Sequence, residues 1–379
     1  MKVCITGWYG TETLGDRAIL LGILRCFVQL DDKLEVFLGS LYPFFSERTL
    51  LEDGEALRDI SSDMKITIFE SKDRTALENA VRASDYVVMG GGPLMDIMDM
   101  EIVNYAFSYA RKRGVKTCLM GCGIGPLHKA AYIKMLHNIL KNTDLGIFRD
   151  SNSYEYAVAH HCKNAFWTMD PAVIALEGYL NTKHQTAGRD ENKIVVNFRE
   201  FPKVYSGNVE AMDRIKEFLN SVLAAYEMVE LIPMHTFSVG GDDRLYLEKL
   251  RRAVGSDRML VAHEPMGTLE LFEKFHTAQA CTGMRYHSVV FQTLINGNNL
   301  IFDYTDKKNG KIQSFLADVD KDGFYHRRVV RVADIFNVDY DWTELVRCLK
   351  EGQRFEWQPE LIAETKEMFV KEIRELGNH

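Results

Sequence analysis

Residues 2–28 read KVCITGWYGTETLGDRAILLGILRCFV, and this stretch decides the fold class. Lys2–Thr6 is a short apolar run closed by Gly7, as a buried strand is. A turn containing Gly10 follows. Then Ile19, Leu20, Ile23, Leu24, Phe27 and Val28 recur at the spacing of one helical face. Strand, glycine turn and helix make one βα unit, and the same alternation continues along the chain. Strands are expected at 34–38, 65–69, 86–89, 117–120, 145–148 and 165–168, most of them separated by enough chain for a crossover helix. Such alternation predicts a mostly parallel sheet with helices on both faces.

Residues 178–192, GYLNTKHQTAGRDEN, are polar and break the pattern. A second series then starts at 193–198. A helical stripe follows in Ile215, Phe218, Leu219, Val222, Leu223 and Tyr226. Further strands are expected at 229–232, 259–261, 278–282, 300–302 and 329–331. The expectation is α/β with two Rossmann-like doubly wound domains. They occupy 1–177 and 193–345, with a linker at 178–192 and C-terminal helices over 346–379 packing back toward the first domain. In such folds the strand carboxyl ends bind ligands, so a shared central cleft is expected.

Composition narrows the function. With 379 residues the chain is too long for one ordinary core and suits two. A formal charge of −8 argues against a nucleic-acid partner, which needs a clustered basic surface. The most apolar run, 18–24, is far too short to span a membrane. The N-terminus shows no signal-peptide pattern, so a cytoplasmic location is expected. Seven scattered cysteines form no C-x-x-C pair, and no residues have metal-ligand spacing, so neither a disulfide framework nor a metal is expected.

The chemistry-bearing residues recur just after strands. Gly7, Gly10, Gly15 and Asp16 lead into the first helix, where amide N–H groups and close backbone approach suit a ligand. A bland turn with Asp16 as helix cap explains them equally well. The dinucleotide pattern G-x-G-x-x-G is absent. Gly90-Gly91-Gly92, followed by Pro93 and Asp96, and the cluster at 121–126 point to close ligand approach rather than to plain loops. Arg149 and Arg199 each directly follow a strand, where a planar guanidinium suits phosphate or carboxylate. Gly283-Met284-Arg285-Tyr286-His287-Ser288 joins a strand to an apolar helix ending at Gly297. It places His287 in the first helical turn beside Arg285. His235 ends another strand and is a weaker candidate.

In order along the chain these pieces resemble the polysaccharide pyruvyl transferase family. The resemblance runs through Leu14-Gly15-Asp16, the triple glycine with Leu94 and Asp96, residues 121–126 and Phe148-Arg149-Asp150-Ser151. It continues through Asp170-Pro171-Ala172, Arg199, Pro233-Met234-His235, residues 283–288, and Tyr304 three residues before Lys307. Thr13 and Cys122 depart from it, standing where the family usually has Asn and often has Gln.

The resemblance implies a glycosyltransferase-B-like fold, a phosphoenolpyruvate donor and a saccharide acceptor from a cell-surface polysaccharide precursor. A lipid-linked acceptor would add peripheral contact with the inner membrane surface. The product would be a ketal bridging two hydroxyls of one sugar, and no cofactor is implied. Protonating the donor's methylene needs an acid, and its phosphate and carboxylate need cations. His287 is assigned proton transfer and Asp16 the base toward the acceptor. Substrate binding is assigned to Arg149, Arg199, Arg285, Gly10, Gly91, Gly92, Asp96, His235 and Lys307. The rival readings are a sugar transferase with a nucleotide-sugar donor and a noncatalytic phosphosugar or carbohydrate sensor.

Overall fold

The computed structural model describes residues 1–90, 92–181, 188–201, 209–305, 310–336 and 338–378. Gly91, Lys307 and residues 182–187 of the expected linker lie outside the described residues. Contacts divide the chain into two units, Met1–Leu180 with Pro359–His379, and Asn181–Gln358.

The first unit is built on one parallel sheet. Its strands are β1 (Lys2–Thr6), β2 (Glu35–Ser40), β3 (Lys65–Glu70), β4 (Tyr86–Gly90), β5 (Pro93–Leu94), β6 (Lys116–Ile124), β7 (Leu145–Phe148) and β8 (Ala165–Trp167). They lie in the order β3-β2-β1-β4-β6-β7-β8, with β5 pairing on the end of β6. Chain order reverses between β1 and β4, so the loops after those strands diverge and leave a crevice at their carboxyl ends. Val3, Cys4 and Ile5 are fully buried, as expected for a strand covered on both faces. The first helix, Leu14–Val28, is buried along nearly its whole length, including the apolar stripe read from sequence up to Phe27.

The second unit repeats the design with β9 (Asp190–Asn197), β10 (Met228–Leu231), β11 (Met259–Val261), β12 (Ala278–Gly283), β13 (Asn299–Asp303) and β14 (Val329–Arg331). The order is β11-β10-β9-β12-β13-β14, all parallel, and the reversal falls between β9 and β12. Phe198, Phe218, Phe302 and Trp342 form an aromatic core beneath one face. The Phe198 and Phe302 rings meet edge to face at 4.9 Å. Each buries enough area to stabilise the unit by about 2–3 kcal/mol.

The observed boundaries differ from those expected in two places. Residues 178–181 are not linker but the last turn of helix Ala172–Asn181, where Gly178 packs against Arg25. The return to the first unit comes at Pro359 rather than 346. Helix Trp342–Lys350 stays with the second unit because its apolar face, Trp342, Val346 and Leu349, is part of that core. Only helix Glu360–Gly377 belongs to the first unit, with Lys366 ion-paired to Glu177 at 2.5 Å and Phe369 fully buried. No helix among the described residues is long and apolar enough to cross a membrane.

Candidate functional site

In the first unit the crevice at the strand-order reversal is lined by the turn after β1 and the loop after β4. The Trp8 indole N–H donates to the Pro93 carbonyl at 3.2 Å, tying the two together. Gly92 sits at φ 72° against that indole. A Cβ there would fall 2.5 Å from Trp8 Cδ1, so the backbone angle and the indole both disfavour a side chain, and Asp16 Oδ1 would lie in ordinary contact at 3.4 Å. Gly10 lies against Ser40 and Tyr42 past the end of β2. Asp16 is buried in the first turn of its helix but is not its cap. Thr13 holds that position.

A small pocket opens between the β1 turn and helix Pro43–Glu52, lined by Trp8, Glu12, Asp16, Arg17, Thr49 and Asp53 among others. Its Arg17 guanidinium is engaged by Asp53 and Glu52, each at 2.7 Å. Glu12 is buried, ion-paired to Arg48 through Oε2, and its Oε1 meets no hydrogen-bond partner among the described residues. The lining therefore offers acceptor oxygens rather than cations. That suits hydroxyl groups and disfavours phosphate.

Arg149 and Asp96, both expected to bind ligand, and the glycines at 121 and 123 make contacts within this unit. Arg149 is buried, and its guanidinium bonds Asp170 at 3.0 Å. Gly123 makes room for it, since a Cβ there would meet Arg149 Nε at 2.8 Å. Asp170 also accepts from the Ala172 N–H, and Pro171 fits where Gly121 has no side chain. Asp96 accepts the backbone N–H groups of His128 and Lys129 and so pins the 126–129 turn.

In the second unit, residues following β9, β10, β12 and β13 converge. Asn197, at the end of β9, accepts from the Arg285 N–H at 3.2 Å and donates to the Ile232 carbonyl at 2.8 Å. The Arg285 guanidinium grips the buried Asp243 carboxylate through Nε and Nη2 at 2.6–3.0 Å. The Met234 and His235 N–H groups complete that carboxylate's shell. His235 donates from Nε2 to the Val239 carbonyl at 2.7 Å. Burial, and the Arg285 charge next, hold its imidazole below the usual histidine range and favour the neutral form.

Around this frame lies an excess of positive charge. The Arg199 guanidinium stands 5.3 Å from the Tyr304 ring centroid, and the Lys311 ammonium lies 5.8 Å from that ring and 5.5 Å from the Tyr286 ring. Among the described residues neither Arg199 nor Lys311 has a carboxylate partner, whereas Arg285 has Asp243. Burial alone would push the Tyr304 phenol up. The charges of Lys311, Arg199 and Arg285, with a hydrogen bond from Lys311, outweigh it and pull the phenol down to about 8. His287 occupies the first turn of helix Tyr286–Phe291, half-buried, its ring 5.0 Å from Tyr286 and stacked on Phe291 at 6.0 Å. A π-helical turn over Gln292–Asn296 extends that helix to Gly297, which caps it at φ 73°.

In the second unit the Arg199 and Arg285 charges both reach His235, and His287 lies two residues past Arg285; in the first unit Gly10 and Asp16 line one pocket, and Gly92 packs against Trp8 and Asp16. Sequence reasoning did not assign Lys311 or Asp243 to the site, and it named Tyr304 only as a piece of the family resemblance, with no role. Tyr304 follows a strand directly, the same signal that marked Arg149, and Lys311 opens the next helix. Asp243 carries no sequence signal, because its partner lies 42 residues away.

The two parallel units, each with ligand-type residues at its strand-order reversal, define a glycosyltransferase-B-like fold. The UDP-GlcNAc 2-epimerase of Methanocaldococcus jannaschii, solved with UDP-GlcNAc and UDP, is 11% identical. Its TM-score is 0.58, covering 99% of this chain and 100% of that one. S. aureus MnaA with UDP is 12% identical, TM-score 0.54, over 98% and 96% of the two chains. Anabaena HepE in complex with UDP is 12% identical, TM-score 0.54, over 99% and 100%. At these identities the likeness carries the fold alone. No curated protein matches the chain significantly. The family is given by the sequence itself: residues 14–294 match the model of the polysaccharide pyruvyl transferases, and the chain belongs to that family of transferases.

Proposed function

We propose that this chain is a ketal pyruvyl transferase. It moves the pyruvyl group of phosphoenolpyruvate onto two hydroxyls of a sugar in a cell-surface polysaccharide precursor. The observation that carries the reading, within a family of such transferases, is the pair Arg199 and Lys311, which have no carboxylate partner among the described residues, beside the fixed Arg285. A donor with both phosphate and carboxylate supplies the anions such a cluster lacks. Arg285, held by Asp243, orients the edge of the site rather than contributing free charge.

The reaction requires a proton on the donor's methylene carbon, which leaves oxocarbenium character at the neighbouring carbon. One sugar hydroxyl adds there and loses its proton. Inorganic phosphate departs with the electrons of the C–O bond, and the second hydroxyl closes the ketal, releasing another proton. The two hydroxyl protons balance the step: one replaces the proton delivered to the methylene carbon, and the other ends on the departing phosphate, which leaves as hydrogen phosphate. His287 is assigned the first transfer. In the first unit, Asp16 and the acceptor-rich pocket with Glu12 suit hydroxyl groups, so the sugar is assigned there, with Asp16 as the base.

A second reading is a sugar transferase with a nucleotide-sugar donor. It is favoured by the fold neighbours whose structures contain UDP. Calorimetric titration separates the two. Binding of phosphoenolpyruvate that is lost in Arg199→Ala supports the pyruvyl reading. Binding of UDP or a UDP-sugar with no response to phosphoenolpyruvate refutes it.

A further inference from the structure

Tyr304 follows β13, and its ring lies 5.3 Å from the Arg199 guanidinium and 5.8 Å from the Lys311 ammonium, with the Arg285 charge also acting on it. Arg199 comes from the end of β9, Arg285 from the turn after β12, and Lys311 from the start of helix Lys311–Val319. Among the described residues, the neighbouring titratable groups are Tyr286, whose ring also meets the Lys311 ammonium, and His287 against the Tyr286 ring. Asp303, on its own strand, is turned elsewhere. It accepts from Thr305 and Gln313 and pairs with Arg331 at 3.5 Å. Asp243 is committed to Arg285. Among the described residues, the phenol is therefore the acid within reach of Arg199 and Lys311.

Partly desolvated cations need a counter-charge, and an acid placed among them loses its proton more readily. We infer that Tyr304 is the ligand-responsive acid of this anion site. Its phenol yields its proton to serve the cations as counter-ion and regains it when a small phosphate- or carboxylate-bearing dianion takes over that role. Once the dianion is in place, a phenolate would be a like charge beside it, whereas the neutral phenol donates a hydrogen bond to it. Ligand binding at mildly alkaline pH is thereby tied to uptake of one proton. The lowered phenol is the electrostatic counterpart of the same arrangement. The inference rests on the anion-site reading of the second unit, not on phosphoenolpyruvate being the anion.

The test is a spectroscopic titration of tyrosinate absorbance in the full chain, wild type against Tyr304→Phe, alone and with either inorganic phosphate or phosphoenolpyruvate. In the wild type one tyrosine should ionise about two pH units before the rest, and that step should be missing from Tyr304→Phe. Either anion should move the step upward by about one unit or more. Arg199→Ala should move it upward as well, since it removes a cation. That arm decides the matter if Tyr304→Phe does not fold. Coincident wild-type and Tyr304→Phe curves, an early step that neither anion moves, or one that Arg199→Ala leaves in place would each overturn the inference. A step moved by inorganic phosphate and not by phosphoenolpyruvate upholds the inference and counts against the proposed donor.

Discussion

The Arg285 guanidinium and the Asp243 carboxylate are joined by Nε and Nη2 contacts of 2.6–3.0 Å, with Asp243 almost wholly out of solvent. The same carboxylate takes the N–H groups of Met234 and His235, so one buried anion fixes the turns after β10 and β12. Replacing it by a neutral isostere leaves a guanidinium uncompensated. Asp243→Asn is therefore expected to destabilise the second unit by about 3 kcal/mol. Urea unfolding followed by circular dichroism checks this, and an unchanged midpoint would show that solvent already screens Arg285.

Arg149 and Asp170 are a comparable pair inside the first unit, both buried and 3.0 Å apart. Arg149→Ala strands the Asp170 carboxylate, and a loss of about 3–5 kcal/mol in stability is expected. Arg149→Lys should recover part of it. A variant of normal stability that fails to bind the donor would instead make Arg149 a ligand.

Arg199 has no such internal partner among the described residues. Arg199→Ala is expected to leave the fold intact and to weaken phosphoenolpyruvate binding by about tenfold to a hundredfold, the scale of one charge-assisted hydrogen bond. Calorimetry gives the dissociation constant. Equal loss of stability and affinity would point to a structural role.

His287 stands in the first turn of its helix, its ring 5.0 Å from that of Tyr286, which itself lies 5.5 Å from the Lys311 ammonium. His287→Asn is expected to lower turnover by about a hundredfold or more while donor binding is kept. The pH–rate profile should also lose a limb in the histidine range. Near-normal turnover in a folded, donor-binding variant removes His287 from the mechanism.

Gly121 has φ 68°, and a Cβ on it would come within 1.9 Å of Pro171 Cδ. Gly121→Ala carries both backbone strain and a clash. A stability loss above about 1 kcal/mol is expected. Thermal unfolding that matches the wild type would mean that the Asp170-Pro171-Ala172 segment can shift aside.

Local pattern made most of the architecture legible. The strand positions followed from apolar runs between glycine turns, and helix Leu14–Val28 followed from its spacing. What it did not show was which neighbours share a residue. Arg149 and Arg199 look alike in sequence, each one residue past a strand, yet one is spent on Asp170 and the other faces Tyr304. The glycines at 121 and 123 read as a ligand loop because their partners, Pro171 and Arg149, lie far along the chain. Lys311 is an ordinary residue, and Tyr304 only a piece of the resemblance, until the charges around them are set out in space. Helix Trp342–Lys350 was assigned by position near the C-terminus, whereas its apolar face belongs to the Phe302 core.

The central claim is the donor and the bond it loses. The direct measurement is release of inorganic phosphate from phosphoenolpyruvate by the purified chain, against a panel of lipid-linked and nucleotide-linked sugars. The sugar product is followed by carbon NMR. Phosphate release that depends on one acceptor, with a new ketal carbon on that sugar and loss of both in Arg199→Ala, is the expected result. No phosphate release with any acceptor, alongside sugar transfer from a UDP-sugar, would contradict the account.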